Sequence, residues 1–353
     1  MSESQERGSP ELFMALIRTE STFEEIPVID IQDARSNDPV ARRKLADLIR
    51  DACINVGFFY IQSHGIPDEI IDNTINGAKE FFALPERAKM ELDIRKTPNY
   101  KGYTALLGEN TDSTGRGDLH EGFDIGWEDV EVDSATVIDG SSLPRDGAMV
   151  GQNVWPADLP GFKEKTLEYY HKVVRVGQLL FPLFALALDL PEDFFADKTT
   201  RPAAIMRLLH YPPQSPTSSE TDPEGQQIGI GAHTDYECFT ILWQDRAGGL
   251  QVQNTAGKWV DAVPIPGTFV VNLGDQFARW TNDIFKSTMH RVINRSGHER
   301  YSIPLFFGTD YDVLLEPIPT FVTPESPSKY EVITAGEYVK SRLDATYAHS
   351  SAV

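Results

Sequence analysis

The sequence predicts an α+β protein: a mainly helical N-terminal half, a core of antiparallel strands forming a sandwich or barrel, and a last helix. Two observations carry this. Apolar residues recur at helical spacing over residues 40–56, over about 68–82 and again over about 162–188. After Arg201 the texture changes to short β-rich runs separated by turn residues. No linker rich in Gly, Pro or Ser divides the halves and no internal repeat is present, so the chain reads as one cooperative unit.

The elements follow in order. Residues 1–25 are polar and aperiodic and read as a flexible arm. Ile26-Pro27-Val28-Ile29-Asp30 reads as a first strand. Asn37, Asp38 and Pro39 supply a cap and a first-turn proline for a helix over 40–56, with Leu45, Leu48, Ile49, Ala52, Cys53 and Val56 on one face. Gly57 stops it, and a buried strand over 58–61 and a turn over 64–67 follow. The second helix spans about 68–82, with Ile71, Ile75, Ala78 and Phe82 on one side. Residues 95–160 are rich in Gly, Asp, Pro and Ser and read as loops with short strands. A long helix over about 162–188 closes this half. Strands are expected over 207–211, 239–244, 250–253, 259–262, 268–272, 289–294 and 301–307, then a helix over about 335–347. The polar stretch 215–225 reads as a lid.

Composition narrows the function. With 41% hydrophobic and 24% charged residues, the 353-residue chain has the mix of an ordinary globular protein. A net charge of −21 repels phosphate backbones and anionic lipid, so no nucleic-acid or membrane partner is expected. Any anionic ligand must be captured by a local cation. Two cysteines, Cys53 and Cys238, are too few for a disulfide framework. The N-terminus lacks the apolar region of a signal peptide, and no run reaches the length of a membrane span, so a cytoplasmic location is expected.

The chemistry lies in the β region. In extended backbone, residues i and i+2 project to one face, so His233 and Asp235 offer an imidazole nitrogen and a carboxylate oxygen to one point. His290 lies far enough along to return on a neighbouring strand. Two His and one carboxylate on one face of a metal leave the opposite positions open, the facial triad of non-haem Fe(II) oxygenases. Alone, His-x-Asp is equally two hydrogen-bonding side chains in a turn. Ten residues past His290, however, Arg300 and Ser302 share one strand face and form a carboxylate receptor.

In this order and spacing, His233-x-Asp235, His290 and Arg300-x-Ser302 resemble the Fe(II)/2-oxoglutarate-dependent oxygenases of the isopenicillin N synthase-like superfamily. Segments 26–30, 57–67, 81–85, 207–213, 249–252 and 271–275 resemble other family motifs, so the likeness covers nearly the whole chain. Within the superfamily, Arg207–Pro212, Gly231–Tyr236, Ala278–Asp283 and Lys329–Glu331 most resemble the fungal thymine dioxygenase-like branch. The resemblance implies a double-stranded β-helix (jelly-roll) core over 201–320, a helical N-terminal oxygenase region over 26–200 and a C-terminal helical segment over 321–353. It implies Fe(II), O2 and 2-oxoglutarate as co-substrate, with His233, Asp235 and His290 as metal ligands and catalytic centre. Arg300, Ser302 and Tyr211 are expected on the distal carboxylate of 2-oxoglutarate; many plant relatives carry Asn-Tyr-Tyr-Pro where this chain has Leu209-His210-Tyr211-Pro212.

The implied reaction is oxidation of a small organic molecule by hydroxylation, desaturation or ring formation, with release of succinate and CO2, in natural-product biosynthesis. Thymine hydroxylation is the alternative. Isopenicillin N synthase and aminocyclopropane-carboxylate oxidase keep Arg-x-Ser without using 2-oxoglutarate, so such an oxidase is a further alternative. A Zn(II) hydrolase could use the same ligands, but no HExxH-like base is present and Arg-x-Ser would have no task. A non-catalytic binding protein would have lost a ligand, and none is lost here. Arg207, Tyr236, Phe306 and Phe123 are expected to touch the substrate. A cationic Arg207 beside aromatic walls would suit a planar or carboxylated molecule; its other reading is a buried ion pair. Cys238, His64, His120, His171, His298 and His349 are given no role, and the oligomeric state is left open.

Overall fold

The computed structural model describes residues 22–111, 117–128, 151–214 and 228–348. The expected lid at 215–225, most of the expected arm and His349 lie outside the described residues.

The helices lie close to their expected bounds. Helix α1 (Pro39–Asn55) starts where the Asp38 side chain accepts from the backbone N–H of Val40, with proline in the first turn. It buries Leu45, Ile49, Ala52 and Cys53 of the face read from the spacing, and Ala46 beside them, but Leu48, expected on that face, is 56% exposed. Gly57 takes φ +75°, and a Cβ there would run into Thr288 and the backbone of Lys286. Helices α2 (Asp68–Phe82), α3 (Glu86–Met90) and α4 (Phe162–Ala187) complete the N-terminal half. Helix α4 packs against α1 and α2. Two helices follow, α5 (Asp275–Trp280) within the β region and α6 (Ala335–Ala348) near the C-terminus. The short α3 and α5 were not expected. Neither spans enough turns to show a period.

Among the described residues, twelve strands form two sheets. They are β1 (Val28–Asp30), β2 (Phe58–Gln62), β3 (Gly102–Thr104), β4 (Glu121–Ile125), β5 (Ala204–Tyr211), β6 (Ile230–His233), β7 (Phe239–Gln244), β8 (Leu250–Gln253), β9 (Trp259–Asp261), β10 (Phe269–Leu273), β11 (His290–Val292) and β12 (Arg300–Phe307). The large sheet has the order β1-β2-β10-β7-β12-β5-β4-β3 and the small one β6-β11-β8-β9. All neighbours are antiparallel except β1 and β2. This is the jelly-roll core expected. The helical half lends β1 and β2 to one edge of the large sheet and β3 and β4 to the other, so both halves share one sheet.

The large sheet is buried on both faces. Helix α4 covers one, where Phe181 and Phe184 meet Phe239, and Phe181 also meets Phe307. The other face looks across to the small sheet and lines the cavity described next.

Candidate active site

A cavity opens between the two sheets. His233 ends β6 and His290 begins β11, and the two are direct partners in the antiparallel register. Asp235 follows two residues beyond β6. Its Oδ1 lies 3.6 Å from Nε2 of His233 and 3.6 Å from Nε2 of His290. One ligand atom from each of the three lies within 4.8 Å of the others.

Each donor is held in its role. Nδ1 of His233 bonds the carbonyl of Gly231 at 2.7 Å, and Nδ1 of His290 bonds that of Thr288 at 3.1 Å. A carbonyl can only accept, so Nδ1 carries the proton and the Nε2 lone pair faces the site. Oδ2 of Asp235 accepts from Thr240 Oγ1 and, at 2.6 Å, from Asn272 Nδ2, which leaves Oδ1 for the cavity. Burial acts to raise the Asp235 carboxyl, but His290, His233, Thr240 and Asn272 together hold it below its usual range. Burial, reinforced by His233, pushes His290 down to about 4, so it is neutral at physiological pH. Two imidazole nitrogens and one carboxylate oxygen, converging from one side, fit a divalent metal with open positions.

Arg300 stands further in. Its side chain is fully buried at 0% exposure. Nε donates to the Gly248 carbonyl at 2.6 Å, Nη1 to Ser302 Oγ at 3.2 Å and Nη2 to Gln244 Oε1 at 3.4 Å. The guanidinium lies 4.5 Å from the centroid of the Tyr211 ring, across the strand pair that joins Arg300 to Tyr211. No carboxylate among the described residues pairs with it. A buried guanidinium without a counter-ion, on the cavity wall that holds the triad, has the charge and the donors that suit an anionic ligand.

The four expected substrate contacts divide. Tyr236 and Phe306 line the cavity. Phe306 lies on the face of β12 shared by Arg300 and Ser302, as strand parity requires. Arg207 also lines it but is an ion pair: its Nη2 lies 2.7 Å from Glu109 Oε1, and its Nε 2.8 Å from Asp124 Oδ1. The reading of Arg207 as a free cation for a carboxylated substrate is therefore corrected. Phe123 is corrected as well. Its ring is fully buried, 4.7 Å from Phe81 and 5.7 Å from Phe162, away from the cavity. Its neighbour Asp124, on the opposite face of β4, is the cavity residue.

Sequence reasoning missed several groups. His120 lines the cavity, with Nδ1 2.8 Å from the Gly229 carbonyl and Nε2 3.2 Å from Glu109 Oε2. Burial acts to lower His120, but Glu109 raises it overall. Burial acts to raise Glu109, but Arg207 and His120 hold it well below the usual carboxylate range. Asp124 goes the other way: burial, which Arg207 only partly offsets, raises it to about 7. Burial and the nearby Asp235 charge raise Glu237 to about 8. Val339, Leu343 and Thr346 of α6 form a further wall. Cys238 is a buried thiol that donates to Gln276 Oε1 at 3.2 Å.

Comparison with known proteins agrees with this geometry. Residues 26–158 match the N-terminal region of the non-haem dioxygenases of morphine synthesis, and residues 202–309 match the 2OG-Fe(II) oxygenase superfamily. The chain is 38% identical over 330 residues to the 2-oxoglutarate-Fe(II) type oxidoreductase hxnY of Emericella nidulans, covering 92% of this chain and 91% of that one. It is 33% identical over 334 residues to a homoarginine-6-hydroxylase of Glycine max, covering 91% and 97%. Among solved structures, the full-length thymine-7-hydroxylase of Neurospora crassa with α-ketoglutarate and 5-formyluracil superposes with a TM-score of 0.77 at 32% identity, covering 91% of this chain and 96% of that one. Jelly roll, triad and anion receptor thus define an oxygenase that needs a metal and a dicarboxylic co-substrate. The chain belongs to the 2OG-Fe(II) oxygenase superfamily and is a 2-oxoglutarate-dependent iron oxidoreductase that uses O2.

Proposed function

We propose that His233, Asp235 and His290 would hold Fe(II), and that Arg300, Ser302 and Tyr211 would hold the distal carboxylate of 2-oxoglutarate. The substrate, a small organic molecule of specialised metabolism, would sit on the side lined by Tyr236, Phe306 and the Arg207 ion pair. Bound iron supplies, with 2-oxoglutarate and O2, the oxidation of a substrate C–H bond, with succinate and CO2 released.

The protein's own share is positioning. Gly231 and Thr288 fix both imidazole tautomers, and Thr240 with Asn272 fixes the Asp235 rotamer. Arg300 is preorganised: its charge is already desolvated, so a dicarboxylate meets it without further ordering. Val339 and Leu343 of α6 present apolar groups to the cavity and limit water there. The observation that carries the reading is this lone buried guanidinium beside the His-Asp-His convergence.

A second reading, thymine oxidation, is favoured by the likeness to the Neurospora crassa thymine-7-hydroxylase, whose structure with α-ketoglutarate and thymine superposes with a TM-score of 0.77 at 31% identity. A cytoplasmic placement is supported by two free, buried cysteines, and the absence of nucleic-acid and membrane partners by the net charge of −21. Among the described residues no helix is long and apolar enough to cross a membrane. The experiment is a succinate-release screen with Fe(II), 2-oxoglutarate and candidate substrates, thymine first and then aromatic or polyketide-derived acids. Efficient turnover of thymine selects the nucleobase reading; turnover of another molecule with thymine inert selects specialised metabolism. No Fe(II)-dependent succinate from any substrate, or equal activity in Asp235→Ala, overturns both.

A further inference from the structure

The strand register gives the cavity a length scale. On the face of β12 and β5 that lines it, Arg300 pairs with Tyr211 at one end and Phe306 with Ile205 at the other. The two pairs stand six residues apart, about 20 Å along the strands. 2-Oxoglutarate, a five-carbon chain held at the Arg300 end, would leave the Phe306 end to the substrate. Thr240, whose hydroxyl holds Asp235, is the direct β7 partner of Phe306, so that end is on the triad's side of the cavity. Helix α6 closes it. Ala335, Val339 and Leu343 recur every four residues and form its apolar face, while Lys340, Ser341, Arg342, Asp344 and Ala345 are exposed. Val339 and Leu343 line the cavity, and Leu343 packs on the cluster that contains Ile205 and Tyr311.

The hydroxyls that meet α6 at this end are already used. The Thr346 hydroxyl donates to the Arg342 carbonyl at 3.1 Å, so at 2.9 Å it accepts from the Tyr236 hydroxyl. The Arg342 guanidinium lies over the Tyr236 ring, 4.9 Å from its centroid. The Tyr100 hydroxyl bonds Asp344 Oδ1 at 3.0 Å. Glu237 also lines the cavity, and its side chain runs against Gly308, two residues past Phe306. Ile205, Phe306, Val339 and Leu343 carry no hydrogen-bonding side chain. A polar end of a substrate placed among them would give up its water without a partner, whereas an apolar end gains by burial. Phe306 alone in β12 is only partly buried, as a ring facing an open cavity would be.

We infer that the substrate meets α6 with an apolar end, and that Leu343 is the specificity-determining residue that limits how far that end extends. The inference rests on the proposed site, whose 2-oxoglutarate end fixes which part of the cavity is left over. Val339 is 3% exposed and held by its packing, whereas Leu343, one turn on, is only partly buried. The size of the side chain at 343 therefore sets the free length.

Phenols with tails of growing length test this: phenol, 4-ethylphenol, 4-butylphenol and 4-hexylphenol. Each is titrated calorimetrically into the full chain loaded with Mn(II) and 2-oxoglutarate, with 2-oxoglutarate binding measured first in the same sample. In the parent chain, affinity should rise with tail length and then fall at the member whose tail meets Leu343. Leu343→Ala, three carbons shorter, should move that fall to a longer tail and raise the affinity of the first rejected member about tenfold. Leu343→Trp should move it to a shorter tail and lower the longest accepted member about tenfold; it decides the matter if Leu343→Ala does not fold. 4-(3-Hydroxypropyl)phenol, the size of 4-butylphenol with a polar tip, should bind the parent about tenfold more weakly than 4-butylphenol. No gain with tail length, no length limit in the parent, a limit unchanged in the folded variants, a hydroxypropyl tail bound as well as butyl, or no detectable binding of any phenol overturns the inference. Failure of 2-oxoglutarate itself to bind counts instead against the proposed site, so the two failures are told apart.

Discussion

Replacing Arg300 should cripple capture of 2-oxoglutarate and leave the metal site intact. The guanidinium touches Gly248, Ser302, Gln244 and Tyr211, and none of the three metal-site side chains. Arg300→Lys keeps a cation but loses the planar fork and the 2.6 Å bond to Gly248. A charge-assisted hydrogen bond is worth ~1.5–3 kcal/mol, so 2-oxoglutarate affinity should fall ~10- to 150-fold. Arg300→Leu removes the charge as well. Truncating one partner of a buried, hydrogen-bonded charge pair costs ~2–5 kcal/mol, a loss of ~30- to 5000-fold. The assay is an anaerobic titration of 2-oxoglutarate into iron-loaded protein, with iron affinity measured separately for each variant. Binding by Arg300→Leu within ~threefold of the parent chain would refute the assignment. So would an equal loss of iron affinity in both variants, because the defect would then be a collapsed cavity.

Three other outcomes follow from the same geometry. Asn272→Leu removes the 2.6 Å bond that orients Asp235 and should lower metal affinity ~10- to 100-fold, read by competition with a chelator. Phe123→Ala should cost ~3–5 kcal/mol of stability in urea denaturation while leaving substrate KM unchanged, because its ring packs on Phe81 and Phe162. Asp124 gives a pH signature. Its folded pKa of about 7 lies above the ordinary value of 3.8, so its stability contribution is full below 3.8 and is lost as pH rises through about 7. Asp124→Asn should therefore gain stability relative to the parent chain as pH rises from 4 to 7, then hold level, as thermal melts across that range would show.

The site was legible where strand parity governs it. Arg300, Ser302 and Phe306 fall on alternate positions of one strand, whereas Asp235 lies two residues beyond the strand that ends at His233 and is brought to the site by the turn there. Period two then fixes which side chains share a face, whatever the rest of the fold does. Phe123 was misread because β4 is buried on both faces, so its sequence carries no alternation to show which face meets the cavity. Glu109 and His120 arrive from a segment without periodicity, and only the fold brings them beside Arg207. The state of Arg207 followed the same rule. The acidic composition allowed an ion pair, but its partners lie 98 and 83 residues upstream, beyond any local pattern. Helix α6 was visible as a helix, yet nothing local told that Val339, Leu343 and Thr346 wall the cavity.

The most direct test of the convergence is the stoichiometry of an anaerobic double titration. Fe(II) is added to the metal-free chain, then 2-oxoglutarate to the iron complex, in the parent and in Asp235→Ala. One iron per chain and one 2-oxoglutarate per iron, both lost in Asp235→Ala, is the predicted result. Iron or 2-oxoglutarate held with undiminished affinity by Asp235→Ala would place the metal elsewhere and contradict the account.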